Sequence, residues 1–442
     1  MQGILSDSRV IRRATPQAPL YEARPGALDA VAQFAAGASV RVERSRERYY
    51  PGLASEAPPT LSLYDQALAV LGNARRVLDA GCGSGAGSQL LCQRVSEVIG
   101  LDKSQLALSF ARHMAPDARL MAGDLTMPLA VGSVDAAVII DVLGHVAAPE
   151  KMLIALRGAL PLGRLVYIAE MAAYPAQQLK APARRAFSKA SLSSLLAICG
   201  YEIVNWERTD GPFLTCLASP FSDPAWEALR RGLERAAEGD TQRAEQDLLQ
   251  ARGATRSTLA VEAWLAEATL GLAARNGDRA ILSFFKAREI APEDPRPLAG
   301  LARIALAMGD LTEASQFASA AERLDPTEID VACTLALVAA RARPEVAGDL
   351  WHTASNLAPE SLDVALQFAQ EAAARQDCEQ AVCALERVRS YDDDHGTALH
   401  LALASALLGA GRGADALLEV QLAEKVNPGD PAVADLMAQL KP

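Results

Sequence analysis

Residues 77–85 read Val77-Leu78-Asp79-Ala80-Gly81-Cys82-Gly83-Ser84-Gly85, followed by Ala86-Gly87-Ser88, and the next apolar run, Val98-Ile99-Gly100-Leu101, closes on Asp102. An apolar run that breaks into clustered glycines predicts a buried strand turning sharply into a helix. Glycines let such a turn adopt positive φ, and they let main-chain N–H groups approach a ligand with no Cβ in the way. The carboxylate at the end of the second run is placed to read ribose hydroxyls. Strand, glycine turn and distant acid together predict a pocket for a nucleoside cofactor.

Two cofactor classes use a turn of this kind, because Gly81, Gly83 and Ala86 also satisfy the G-x-G-x-x-G/A spacing of dinucleotide sites. Asp79 separates them. Two residues before the first glycine, an acid would repel a pyrophosphate and attract a cation. S-adenosylmethionine carries an ammonium and a sulfonium, so an acidic strand end facing a glycine turn suits it.

Over residues 40–219 the chain resembles the Rossmann-like (class I) S-adenosylmethionine-dependent methyltransferases, with four signatures in that family's order. Val77 to Gly85 is similar to the glycine-rich loop, and Val98-Ile99-Gly100-Leu101-Asp102-Lys103-Ser104 to the ribose-binding strand end. Gly123-Asp124-Leu125 resembles the segment that reads the adenine amine, and Val134 to Leu143 the fourth strand beside the methionine moiety. The resemblance implies an α/β Rossmann-like domain of seven strands with an antiparallel final strand. It implies S-adenosyl-L-methionine as cofactor, held by Asp79, Gly81, Gly83, Gly85, Asp102, Lys103, Asp124, Leu125 and Asp141. Apolar runs near 76–80, 97–101, 118–121, 135–140, 164–169, 201–207 and 213–218 fit seven strands, with a hairpin turn at Thr209-Asp210-Gly211-Pro212 before the last.

Other residues carry two readings each. Asp102 can bind ribose and can cap the next helix; Asp124 can be a plain turn acid. His145 resembles a histidine that follows the fourth strand in this family, with Gly144 where an acid is common. It is the one catalytic candidate, a base for an acceptor hydroxyl or else a packing or capping histidine. Asp141 and Glu170 end neighbouring runs and together suggest a Mg²⁺ site, but no third ligand is evident and no metal is assigned. The segment 172–189, with Lys180, Arg184 and Arg185, is a basic acceptor cover or a solvated helix. The stretch 41–52 faintly resembles bacterial methyltransferases associated with surface-polysaccharide synthesis. Its Tyr49 and Tyr50, with Tyr64, either close over the cofactor or pack onto the sheet.

The second half announces itself by period. Pro292, Pro326, Pro359 and Pro428 are 34, 33 and 69 residues apart, and Ala280/Ala287, Ala314/Ala321, Ala347/Ala354 and Ala416/Ala423 each lie seven apart on one helix face. Gly309-Asp310 reads as an interhelix turn, and the pattern resembles the tetratricopeptide repeat. Six copies are expected, at 225–258, 261–294, 295–327, 328–361, 362–396 and 397–430, with Asp392-Asp393-Asp394 replacing the closing proline of the fifth and a capping helix after the sixth. Such an all-α solenoid would offer a concave face to a protein partner or macromolecular acceptor.

The expected organisation is an N-terminal segment 1–39, a methyltransferase domain 40–219, a linker 220–224 and a repeat domain 225–442. A connector this short reaches only on the order of 15–20 Å, so restricted orientation follows. Residues 1–224 hold 22 basic and 20 acidic residues, the remainder 21 and 34, giving +2 and −13. An acidic chain without a Lys/Arg tract is a poor nucleic-acid binder. No signal-like or membrane-length apolar run appears, and seven cysteines form no C-x-x-C pair, so a cytoplasmic protein is expected. Function reads as methyl transfer to an oxygen or nitrogen of a glycan, small molecule or protein. The rivals are an inactive repeat scaffold and an NAD-dependent oxidoreductase, disfavoured by the intact glycine turn and by Asp79 respectively.

Overall fold

The central apolar runs of the first half, at 76–80, 97–102, 136–140 and 165–171, are buried along nearly their whole length, which is what a parallel sheet covered by helices requires. The computed structural model describes residues 61–173, 185–207, 212–391 and 396–440. The expected segment 1–39, the stretch 41–52 with Tyr49 and Tyr50, the basic residues Lys180 and Arg184, the turn residues 209–211 and the acidic run 392–394 lie outside them.

Seven strands form one sheet: β1 (Arg76–Ala80), β2 (Glu97–Asp102), β3 (Arg119–Ala122), β4 (Ala136–Ile140), β5 (Leu165–Met171), β6 (Tyr201–Glu207) and β7 (Phe213–Pro220). The order across the sheet is β3-β2-β1-β4-β5-β7-β6. β1 to β5 run parallel, and β7 inserts antiparallel between β5 and β6. Alternation sends neighbouring residues to opposite faces. Val77, Val98, Val138 and Tyr167 pack with Leu63, Tyr64 and Leu91 of helices α1 (Leu61–Val70) and α2 (Ala86–Cys92). Leu78, Ile99, Ile139 and Ile168 pack with α4 (Pro149–Ala159) and α5 (Lys189–Ile198) on the other face. Helix α3 (Gln105–Met114) joins β2 to β3.

Beyond β7 the chain is helical throughout the described residues. Six antiparallel pairs follow: α6 (Pro224–Glu238) with α7 (Thr241–Ala251), α8 (Ser257–Ala273) with α9 (Gly277–Ile290), α10 (Arg296–Met308) with α11 (Leu311–Leu324), α12 (Ile329–Ala342) with α13 (Pro344–Leu357), α14 (Leu362–Ala374) with α15 (Cys378–Arg389), and α16 (Thr397–Gly409) with α17 (Gly413–Val426). A last helix, α18 (Pro431–Leu440), lies against α16 and α17. The alanines spaced by seven are buried in the second helix of their pairs. Interhelix turns recur in chemistry. Gly239 and Gly309 take left-handed backbone, and the next residue, Asp240 or Asp310, caps the second helix by accepting the N–H of Arg243 or Glu313.

The two halves share a buried seam. Trp226 of α6 donates through Nε1 to the carbonyl of Ile198 at 2.8 Å, and Arg157 stacks on its ring at 4.2 Å. Ala197 and Phe221 join the core formed by α6, α7 and α8. Ser194 of α5 donates to Glu262 of α8 at 2.8 Å, and Glu262 is held by Arg296 of α10 at 2.7 Å. Ser188, which caps α5, donates to Glu328 at the start of α12. The first face of the array therefore carries its own α/β domain.

Gly85, at the start of α2, has φ 86° and sits so close to α3 that a Cβ would lie 2.8 Å from Ala111 Cα. Gly309 has a similar φ of 84° with open space around it. Gly85→Ala should cost roughly 2–5 kcal/mol, whereas Gly309→Ala should cost only about 1 kcal/mol. Thermal unfolding of the two variants in parallel checks the difference.

Candidate active site

The carboxyl ends of β1, β2, β4 and β5 converge on one edge of the sheet, where open α/β sheets bind ligands. After β1 the chain makes three left-handed glycines in five residues: Gly81, Gly83 and Gly85, with φ 84°, 53° and 86°. The loop is tied down from β2. Gly81 and Cys82 donate their N–H groups to the Leu101 carbonyl at 2.8 and 3.2 Å. Gly83 donates to Asp102 Oδ2 at 2.9 Å, while Asp102 Oδ1 accepts from the Ser104 N–H at 2.8 Å. Each carboxylate oxygen keeps a second lone pair. The cap of α3 is Ser104, whose side chain accepts from the Ala107 N–H; Asp102 instead braces loop and helix start together. Lys103 is exposed beside it.

Asp79 is deeply buried. Tyr64 donates to its Oδ1 at 2.9 Å and Ser88 to its Oδ2 at 2.6 Å. Burial pushes its carboxyl up to about 6, against the lowering effect of the two hydroxyls. The acid expected to face a cation thus lies beneath the loop, fixing α1 and α2 onto β1. Tyr64, weighed from sequence as a cover or as packing, packs: a Cβ on Gly87 would lie 2.0 Å from its ring. Asp124 is exposed and forms a turn, accepting from the N–H and hydroxyl of Thr126, both at 2.8 Å. Leu125 next to it is buried.

At the end of β4, Asp141 has φ 57°, uncommon outside glycine and tolerated best by Asp and Asn. That backbone turns its carboxylate toward His145, whose Nε2 lies 3.1 Å from Asp141 Oδ1. His145 closes a single 3-10 turn, Leu143–His145. The turn is gripped from β5 by Glu170, whose Oε1 accepts the N–H groups of Val142 and Leu143 at 2.9 and 2.7 Å and whose Oε2 accepts that of Gly144 at 3.0 Å. Burial, then the Asp141 charge, pushes Glu170 up to about 8 in spite of those three donors. The pair weighed for Mg²⁺ therefore engages different partners, Asp141 the imidazole and Glu170 the backbone. Among the described residues no group of three or more His, Cys, Asp or Glu is arranged to hold a metal.

Sequence reasoning missed Glu170 as the keystone of this turn. Its signal was present: one acid ending an otherwise apolar strand. It also missed Ser88, which sits on the helix face one turn beyond the glycines.

A family model for the "Methyltransferase domain" matches residues 78–167, and one for the "Tetratricopeptide repeat" matches residues 271–340. The chain carries a methyltransferase domain followed by a tetratricopeptide-like array. The chain is 36% identical over 102 residues, 22% of its length, to a probable S-adenosylmethionine-dependent methyltransferase of Mycolicibacterium smegmatis. It is 42% identical over 57 residues, 12% of its length, to trans-aconitate 2-methyltransferase of Delftia acidovorans. It spans 40% and 21% of those relatives' own lengths. Among solved structures, magnesium protoporphyrin IX methyltransferase of Synechocystis aligns with a TM-score of 0.31 at 21% identity, over 37% of this chain and 84% of that one. No helix among the described residues is long and apolar enough to cross a membrane.

The raised carboxyl of Asp79 has a defined sign. A folded-state value above 3.8 means the folded chain binds that proton more tightly, so the contribution is full at low pH and is lost as pH rises through about 6. Between pH 5.5 and 7.5 the loss is about 1 kcal/mol. Asp79→Asn should remove that part of the pH dependence, read as urea midpoints of both proteins at the two pH values.

Proposed function

We propose that this chain is a methyltransferase that uses S-adenosyl-L-methionine to methylate an oxygen or nitrogen nucleophile on a glycan, small-molecule or protein acceptor. The observation that carries the reading is the braced glycine loop of β1 facing Asp102 at the end of β2. Three left-handed glycines keep Cβ atoms away from the loop's main chain, and around Gly83 the position of a Cβ is open. Asp102 is held by two backbone N–H groups, so its remaining lone pairs are fixed in direction before any ligand arrives.

On this reading Gly81, Gly83 and Gly85 cradle the cofactor, and Asp102, with Lys103 beside it, takes the ribose hydroxyls. Asp124 and the Leu125 N–H read adenine, and Asp141 borders the methionine end. Asp79 acts from below the loop, tying α1 and α2 to β1 through Tyr64 and Ser88. The bound cofactor supplies a methyl group already activated on a sulfonium. What remains for the protein is alignment of the acceptor, exclusion of water and removal of a proton. Asp141 Oδ1 lies 3.1 Å from His145 Nε2 and orients the imidazole, which on this reading is the group nearest the methionine end that can exchange a proton.

The domain division follows the same reading: a methyltransferase unit at 40–219, a connector at 220–224 whose first residue ends β7 and whose last begins α6, and a repeat unit from 225, which recruits a protein partner or macromolecular acceptor. None of the described cysteines is in a disulfide, and a reducing cytoplasmic setting belongs to the same reading.

Titration calorimetry with S-adenosylmethionine and with NAD tests the assignment. Binding of the first alone is expected; binding of NAD alone overturns it in favour of an oxidoreductase, and binding of neither leaves an inactive scaffold. Asp102→Ala should stay folded by circular dichroism and lose S-adenosylmethionine affinity by roughly 100-fold or more. Retained affinity would show that the ribose assignment is wrong.

A further inference from the structure

Residues 185–188, just before α5, lie between the His145 turn and the repeats and are held from both sides. Toward the turn, the Arg185 N–H donates to the Gly144 carbonyl at 3.3 Å, and Arg185 Nη2 reaches the Ala147 carbonyl at 3.4 Å. The approach is so close that a Cβ on Gly144 would lie 2.7 Å from the Arg185 carbonyl oxygen. Here is the physical reason for glycine where the resemblance led us to expect an acid. Phe187 secures the segment to β5, exchanging hydrogen bonds with Met171 and Ala173 at 2.9 Å each.

Toward the repeats, the Arg185 guanidinium pairs with Glu360, in the turn between α13 and α14, and both side chains are largely buried. Ser188 donates to Glu328, and Ala173 lies in the apolar core of α12, α13 and α14, against which Ala186 also packs. The Arg185 charge further acts on Glu150, in the first turn of α4 just after Ala147. A single guanidinium therefore joins the fourth repeat to the loop that carries His145.

We propose that Glu360, Arg185 and Gly144 form a strut by which the repeat array positions the 142–147 turn, making the array a built-in part of the transfer site. The proposal rests on the methyltransferase reading. Arg185, Glu360 and Gly144 are positioning residues: they act through the turn and not on the cofactor. A neutral side chain at 360 would remove the counter-charge and free the guanidinium to leave the Ala147 carbonyl. A methyl group at 144 would push the Arg185 backbone off the turn. Either change lets the three N–H groups gripped by Glu170 open more often, because opening of a turn is governed by the contacts it loses.

Hydrogen exchange on the full chain reads this directly. Glu360→Ala and Gly144→Ala should each speed exchange of the 142–145 amides by roughly tenfold, while the β2 amides 97–102 keep their protection. Arg256→Ala serves as control: it removes another contact between the halves, to Glu202 and Asp223, and should leave 142–145 unchanged. A merely adhesive interface would give the same result for Glu360→Ala and Arg256→Ala, and that outcome overturns the proposal, as does unchanged exchange in the first two variants. Should Gly144→Ala not fold, Glu360→Ala, in the turn between α13 and α14 and outside any helix, decides. Calorimetry of the unaltered chain with S-adenosylmethionine runs alongside. Binding with unchanged exchange in the variants defeats the strut alone, whereas no binding with faster exchange defeats the methyltransferase reading and keeps the mechanical link.

Discussion

Glu170 is the group on which the candidate site turns. Its carboxylate is buried at the end of β5 and spends both oxygens on three successive backbone N–H groups, those of Val142, Leu143 and Gly144. A turn leaving the end of a parallel strand has several N–H groups with no ladder partner, and a buried donor left unmade costs more than a made bond gains. One acid on the neighbouring strand meets all three. With those N–H groups fixed, Asp141 is held in left-handed backbone and His145 comes within reach of its carboxylate.

A matching solution operates on the other side of the sheet's centre. Asp102 binds the Gly83 and Ser104 N–H groups, and Asp79 binds the Tyr64 and Ser88 hydroxyls. Asp102 and Glu170 thus hold turns through backbone N–H groups, and Asp79 holds two helices through their hydroxyls. Their arrangement is paid for in desolvation, which raises both Asp79 and Glu170 above ordinary carboxylate values.

Local pattern made much of this legible. The central strand runs are continuous stretches of apolar residues because both sheet faces are covered there, and the Ala280/Ala287 type of spacing is legible because both alanines are fully buried in their helix pair. The glycine turn and Asp102 could be read because their spacing is set by one strand-turn-helix unit. What stayed hidden depends on residues far apart in the chain. Asp79 looks like an exposed charge until Tyr64 is seen above it. Gly144 looks like a lapse from family habit until the Arg185 carbonyl is found against it. The array's first face looks vacant from its period alone; Ser188 meets Glu328 and Ser194 meets Glu262 only once the chain has folded back over 140 and 68 residues.

The strand order β3-β2-β1-β4-β5-β7-β6 divides the molecule in a way that bears on its history. The glycine loop and Asp102 belong to the β3-β2-β1 flank. The chain leaves the sheet by β7, on the opposite flank, and its helices settle on α5 and on residues 185–188 just before it. Repeats could be gained, lost or reshaped there without disturbing the flank that carries the glycine loop. Inheritance of the one and invention in the other can proceed separately, and the seam between β1 and β4 is where the two meet.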